Sequence, residues 1–318
     1  MQNYRLKLKK LQQRLKTLLV PTLLSISLIL GLSTLLSFSF AQNTVSSQSL
    51  EVSPPSQELA SDPGQTILAR AKIRNKSADS INIKVRIEDF TATGEEGQVA
   101  LIEKGPQSLT SWTVVEPQSF PLKPGETKEV TAKISIPKEA GGGRYGSFVF
   151  SAGGGQAAPG TASVAQELAS LFLIRISGPV SEKLLISEFK SPAFLEFGPV
   201  PFTLKFTNSG NVHVKPFGLI NITDVTGRVV KDVVVRGETN IFPGASRIIT
   251  VNYDEKWLFG PYKAQAVLNF GSKNESLYAT TTFFVFPVRI AAALLLVLFV
   301  LYISRKRLTK AIKALAGK

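Results

Sequence analysis

The chain has 318 residues, no cysteine, one histidine and a formal net charge of +14. Without thiols there is no disulfide framework and no thiolate chemistry, so any domain must be held by its apolar core. The charge does not mark a nucleic-acid binder: residues 1–41 and 304–318 carry six basic residues each and no acidic one, while residues 42–288 hold 24 basic against 23 acidic, the pattern of cations flanking membrane segments.

Residues 1–41 open with the basic "MQNYRLKLKKLQQRLK", continue in an apolar stretch from Leu18 to Phe40, and end on Ser39-Phe40-Ala41 before Gln42. A signal helix cleaved between Ala41 and Gln42 is predicted. The apolar stretch is also long enough to span a bilayer uncleaved. Either way, the chain beyond Gln42 is exported.

From residue 42 to 286 the period is two. "ILARAKIR" sets Ile67, Ala69, Ala71 and Ile73 against Arg70, Lys72 and Arg74, and "INIKVRIE" sets Ile81, Ile83, Val85 and Ile87 against Asn82, Lys84, Arg86 and Glu88. "VTAKISI", "YGSFVF" and "LASLFLIRIS" come next; beyond Gly178-Pro179 lie "PFTLKFTN", "FGLINITD", "RVVKDVVV", "RIITVNY", "YKAQAVLNF" and "YATTTFFVF". Short strands parted by Gly, Pro, Asn and Asp predict antiparallel sandwiches. The small-residue stretch "SAGGGQAAPGTAS" reads as a loop between the last two strands of the first one.

The last apolar run, residues 287–304, predicts a transmembrane helix. Arg289 would reach the outer headgroups, and residues 305–318 form a basic cytoplasmic tail that stops transfer.

A repeat fixes the domain count. "LKPGETKEVTAKI" returns as "IFPGASRIITVNY", with Pro124-Gly125 matched by Pro243-Gly244 at a spacing of 119. "NKSADSINIKV" resembles "NSGNVHVKP", and Gly143-Arg144-Tyr145 has its echo in Gly260-Pro261-Tyr262. Two copies of one fold explain this, as domains 42–178 and 179–286. Pro-Gly sets a tight turn, Pro fixing φ and Gly accepting positive φ. Tyr145 and Tyr262 stand where a sandwich places its tyrosine corner.

The stretch from "SLEVSPPSQELASDPGQTILARAKIRNKSADSINIKVRIEDF" through "WTVVEPQSFPLKPGETKEVTAKISIPKEAGGGRYGSFVF" to "LASLFLIRISG" resembles the N-terminal peptidoglycan-binding domain of WxL-interacting surface proteins, over about Ser49 to Ser177. "NSGNVHVKPFGLINITDVTGRVV" resembles the second immunoglobulin-like domain that precedes the single span in that family. The resemblance implies a bacterial surface protein that holds to the cell wall and presents a second domain to partners.

The residues that carry chemistry are few. His213, between Val212 and Val214, reads as a surface or edge imidazole; a zinc site or catalytic triad would need partners the sequence lacks. Asp89, Glu95 and Glu96 in "EDFTATGEEGQ" read as a solvated hairpin tip, with weak calcium binding as the alternative. "GGGRYGSFVF" opens a strand and lacks the Gly-Lys-Ser/Thr of a phosphate loop. No catalytic, cofactor or metal residue is assigned, and no nucleic acid or small-molecule substrate is expected.

The expectation is an all-β protein: two tandem immunoglobulin-like antiparallel β-sandwiches with an N-terminal signal helix and a C-terminal transmembrane helix. It would be a non-enzymatic binding or structural protein of the cell membrane, with the ectodomain extracellular and the C-terminus cytoplasmic, contacting peptidoglycan or another surface protein. The alternative is a surface-held chaperone or assembly factor that uses an open sheet edge, with "LASLFLIRIS" as the candidate edge.

Overall fold

The computed structural model describes residues 49–152 and 166–315, with side chains as far as Arg305. The expected signal helix, its cleavage point at Ala41 and Gln42, and most of the loop 151–163 lie outside the described residues.

The described chain forms two β-sandwiches. In the first, one sheet runs in the order β1 (Leu50–Ser53), β3 (Thr66–Asn75), β8 (Thr127–Ser135) and β6 (Thr113–Glu116). The facing sheet runs β2 (Ser56–Ser61), β10 (Gln166–Ile176), β9 (Gly142–Ala152), β4 (Ile81–Thr93) and β5 (Gln98–Ile102), with β7 (Ser119–Leu122) on the first half of β4. In the second sandwich, β11 (Leu184–Lys190), β13 (Val200–Asn208) and β16 (Ser246–Tyr253) face β12 (Phe194–Leu195), β18 (Glu275–Val285), β17 (Gly260–Phe270), β14 (Phe217–Thr223) and β15 (Val229–Val235).

Pairing is antiparallel with two exceptions, β2 on β10 and β12 on β18, which are parallel. In the first case the cause is local. Pro54-Pro55 can donate nothing to a ladder, so the strand that begins against β3 breaks there and resumes in the other sheet.

Alternation builds both cores. In β3, Ala69, Ala71 and Ile73 are buried while Arg70, Lys72 and Arg74 are exposed. They join Ile83, Ile134, Phe148, Phe150 and Phe172 in the first core. Phe202, Phe206, Ile220, Ala266 and Leu268 lie in the second. Each fully buried large side chain contributes about 1.5–3 kcal/mol.

The repeated phrases carry the same hydrogen bonds. Gly125 and Gly244 sit at φ 75° and 74°, a conformation cheap only for glycine. The turns close from Glu126 N–H to Lys123 C=O and from Ala245 N–H to Phe242 C=O. A fully buried asparagine stands behind each turn. Asn75 donates to the carbonyls of Asp79 and Leu122 and accepts from the Ser77 N–H. Asn208 donates to Val212 and Ile241 and accepts from Gly210.

After β18, helix α1 (Val288–Leu315) begins directly beyond Pro287. Its Val288–Arg305 portion has mean hydropathy 2.1 and none of it is buried, so it is long and apolar enough to cross a membrane. The helix does not end at residue 304 but continues into the basic segment.

Candidate functional site: joint and open edge

The sandwiches meet at Tyr145. Its oxygen accepts the His213 backbone N–H at 2.8 Å and lies 3.2 Å from His213 Nδ1. The phenol thus bonds backbone, but the backbone of the other sandwich: it ties two domains together rather than closing a corner within one. A Cβ on Gly143 would collide with this hydroxyl, which accounts for the glycine two residues before the tyrosine. Phe242, next to Pro243-Gly244, packs edge-on against Tyr145 and Phe90 at 5.1 and 5.5 Å. The structure therefore brings Tyr145, Pro243 and Gly244 to one place. Pro124 and Gly125 stay with the first sandwich. Tyr262 stays with the second, stacked on Phe283 and bonded to the backbone of Phe259.

His213 is buried, not at the surface. Val212 and Val214 point into their own core, so alternation sends His213 outward, and the first sandwich lies there. Burial pushes its pKa down to about 4, the Arg175 and Lys215 charges adding to the effect and Glu58 opposing it. Neutral His213 can accept the Tyr145 hydroxyl proton at Nδ1.

Beside this joint is a cleft of about 450 Å³. Its two cations are matched: Lys215 lies 2.7 Å from Glu58, and Arg175 lies 2.7 Å from Glu182. The cleft is a cemented joint, with its charges spent on the other domain.

The acidic hairpin is likewise structural. Asp89 is buried, and its carboxylate accepts from the N–H groups of Leu109 and Gly105 and from the Thr110 hydroxyl. Glu95 pairs with Lys205 at 2.6 Å, and its carbonyl accepts the Ile248 N–H at 2.7 Å. Among the described residues there is no cluster of three or more potential metal ligands.

The edge beside "LASLFLIRIS" is largely covered: β2 pairs with Leu171–Ile176. That strand is apolar because it serves two clusters. Phe172, Ile174 and Ile176 enter the first core, while Leu171 and Leu173 pack toward Tyr145.

Unpaired edges lie elsewhere, in the second sandwich. In the first sandwich, β6 lies along the outer edge of β8, Thr113–Glu116 opposite Ile134–Thr131. Shifted by the repeat spacing, those β8 positions become Thr250–Tyr253 of β16, to whose outer edge no described strand is hydrogen-bonded. The difference shows in burial. Val130 and Ala132 are fully buried, while their counterparts Ile249 and Val251 are only partly so. Ile248 N–H points to the outer edge, since it bonds Glu95; by alternation the N–H and C=O of Thr250 and Asn252 point there too. Across from them β15 presents its own unpaired outer edge with exposed Val230 and Val234. Between the strands runs a slot of about 610 Å³, lined by Val230–Val234, Arg236 and Asn252–Glu255.

No family model matches the chain, and no curated protein matches it. Among solved structures it is similar to the class 5 fimbriae chaperone CfaA, at 16% identity over 74% of this chain and 99% of that one, with TM-score 0.40. It is also similar to the E. coli chaperone DraB, at 11% identity over 74% and 97%, with TM-score 0.34. A chain of the Salmonella enterica SafA pilin–SafB chaperone complex matches at 12% identity over 74% and 97%, with TM-score 0.36. At TM-scores of 0.40 and below these likenesses bear on neither fold nor function, which rest on the sheets and edges described above.

Proposed function

We propose that this chain is a membrane-tethered, non-enzymatic surface protein that receives an extended segment of another surface protein along the outer edge of β16, in the manner of an assembly factor working by strand addition. The uncovered place of β6 supports this most directly. A segment entering the slot would complete the second sandwich as β6 completes the first. Main-chain hydrogen bonds to Thr250 and Asn252 would supply affinity. Alternate side chains would cover Ile249 and Val251 and meet the mixed charges of Lys231, Asp232 and Arg236. In this reading α1 spans the membrane, the sandwiches stand outside and the basic end of the helix lies in the cytoplasm, as the charge distribution favours.

Site-specific photo-crosslinking in cells tests it. A crosslinker at Asn252 in the full chain should capture a discrete protein. One at Lys133, the counterpart beside the covered edge, should not. Thr250→Pro removes an outward N–H without touching the β13 ladder, so it should abolish capture while leaving the melting temperature nearly unchanged. Wall binding, implied by the resemblance to WxL-interacting proteins, is the competing proposal. Retention of the protein on purified sacculi, with no crosslink at Asn252, would favour it instead.

A further inference from the structure

The end of the second sandwich next to α1 is ringed by aromatic side chains. Phe194, Trp257, Phe259, Phe284 and Phe286 are each between 40% and 59% exposed, unusual for so many large apolar groups at one end of a domain. Pairing places them together. Gly260, just after the Trp257–Phe259 loop, lies opposite Val285, and Phe194 lies beside Phe284. Phe197 meets Trp257 edge-on at 5.3 Å, and the Gly198 N–H bonds the Lys256 carbonyl. Glu196, on the same turn, lies 3.4 Å from Arg289 in the first turn of α1. The ring therefore begins within a few residues of the point where α1 starts.

We propose that this ring seats the second sandwich on the bilayer surface, with Trp257 and Phe259 in the headgroup region beside the entry of α1. The occupant is set by continuity: an apolar helix long enough to cross a bilayer starts at Val288, two residues after Phe286, and its Arg289 reaches Glu196. Trp257 joins an apolar ring to its own N–H, the combination that favours the membrane–water interface, and the four exposed Phe rings add apolar area beside it. Charges at this end nearly cancel, Lys256 and Arg289 against Glu196, Asp254 and Glu255, so contact depends on the aromatic groups and not on anionic lipid. Docking there would hold the slot between β15 and β16 at a fixed height above the membrane. This inference rests on the membrane-spanning reading of α1.

The chain has only two tryptophans, which makes the test direct. Full-length Trp112→Phe protein is placed in phosphatidylcholine vesicles, with and without brominated acyl chains, and washed with alkaline carbonate. The expected result is retention, with at least a twofold loss of Trp257 emission to shallow bromines, more than to deep ones, and poor quenching by aqueous acrylamide. The wild-type protein should show the same quenched component, and Trp257→Phe should lack it, so the result does not depend on one variant folding. Zwitterionic and anionic vesicles should behave alike. Retention with no bromine quenching and free acrylamide quenching would overturn the docking alone. Shielding from both quenchers would mean that protein, such as a second copy, covers the ring, and would overturn it too. Loss of the protein in the carbonate wash would overturn the spanning reading and the docking with it.

Discussion

The oxygen of Tyr145, in the first sandwich, accepts the backbone N–H of His213, in the second, at 2.8 Å. This bond, buried among Phe90, Phe242 and Leu173, lies at the centre of the contact that sets two domains of the same fold against each other. The Glu58–Lys215, Glu182–Arg175 and Glu95–Lys205 pairs brace the same joint from its sides.

Tyr145→Phe keeps the ring and removes the oxygen, so the buried His213 N–H loses its acceptor. The cost should be about 1–3 kcal/mol. It should fall on the joint more than on either core: calorimetry should show a single transition for the wild type and a broadened or split one for the variant. An unchanged single transition would mean that the remaining contacts, the ion pairs, the Gly143–Asn211 and Ile248–Glu95 backbone bonds and the Phe242 packing, hold the domains without it.

Acid should loosen the joint through His213. Its pKa is lowered by burial from 6.5 to about 4 in the folded protein. Below pH 6.5 the exposed imidazole takes up a proton that the closed joint resists until about pH 4. Stability is therefore full above 6.5 and is lost as pH falls through this window, by about 3 kcal/mol at most. Melting of wild type and His213→Gln at about pH 7 and about pH 4 should show the wild type losing more. Equal losses would assign the acid sensitivity to carboxylates such as Glu58 and Glu182.

Asn75→Ala and Asn208→Ala should each destabilise their own sandwich by about 1–3 kcal/mol, because Asn75 holds the buried Leu122 carbonyl and Asn208 the buried Val212 and Ile241 carbonyls. Urea unfolding of the two variants, followed by Trp112 for the first domain and Trp257 for the second, should show the early transition in the domain that carries the change.

Much of the fold was legible because its signals are local. A Pro-Gly turn with a positive-φ glycine, an asparagine-led turn and period-two strands each read within about ten residues. The buried roles of Asn75 and Asn208 were half visible, as matching positions in the repeat but not as hydrogen-bond hubs. The joint was not legible. Tyr145 and His213 are 68 residues apart, and alternation within one strand says only that His213 leaves its own core, not that another domain waits outside. The apolar run of β10 suggested an open edge for the same reason, since a strand serving two clusters and a strand awaiting a partner look alike in sequence. The unpaired edge of β16 lay in an omission. β6, short and embedded in the long connection from β5 to β8, has no counterpart between β15 and β16, and a missing strand leaves no motif to find.

Hydrogen exchange along β16 tests the central claim most directly. In the full-length protein without a partner, the Thr250 and Asn252 amides should exchange at least about tenfold faster than those of Thr131 and Lys133, their counterparts beneath β6. In the crosslinked complex they should slow to the same level. Slow exchange at Thr250 and Asn252 in the unpartnered protein, or exchange that stays fast in the complex, would contradict strand addition at this edge.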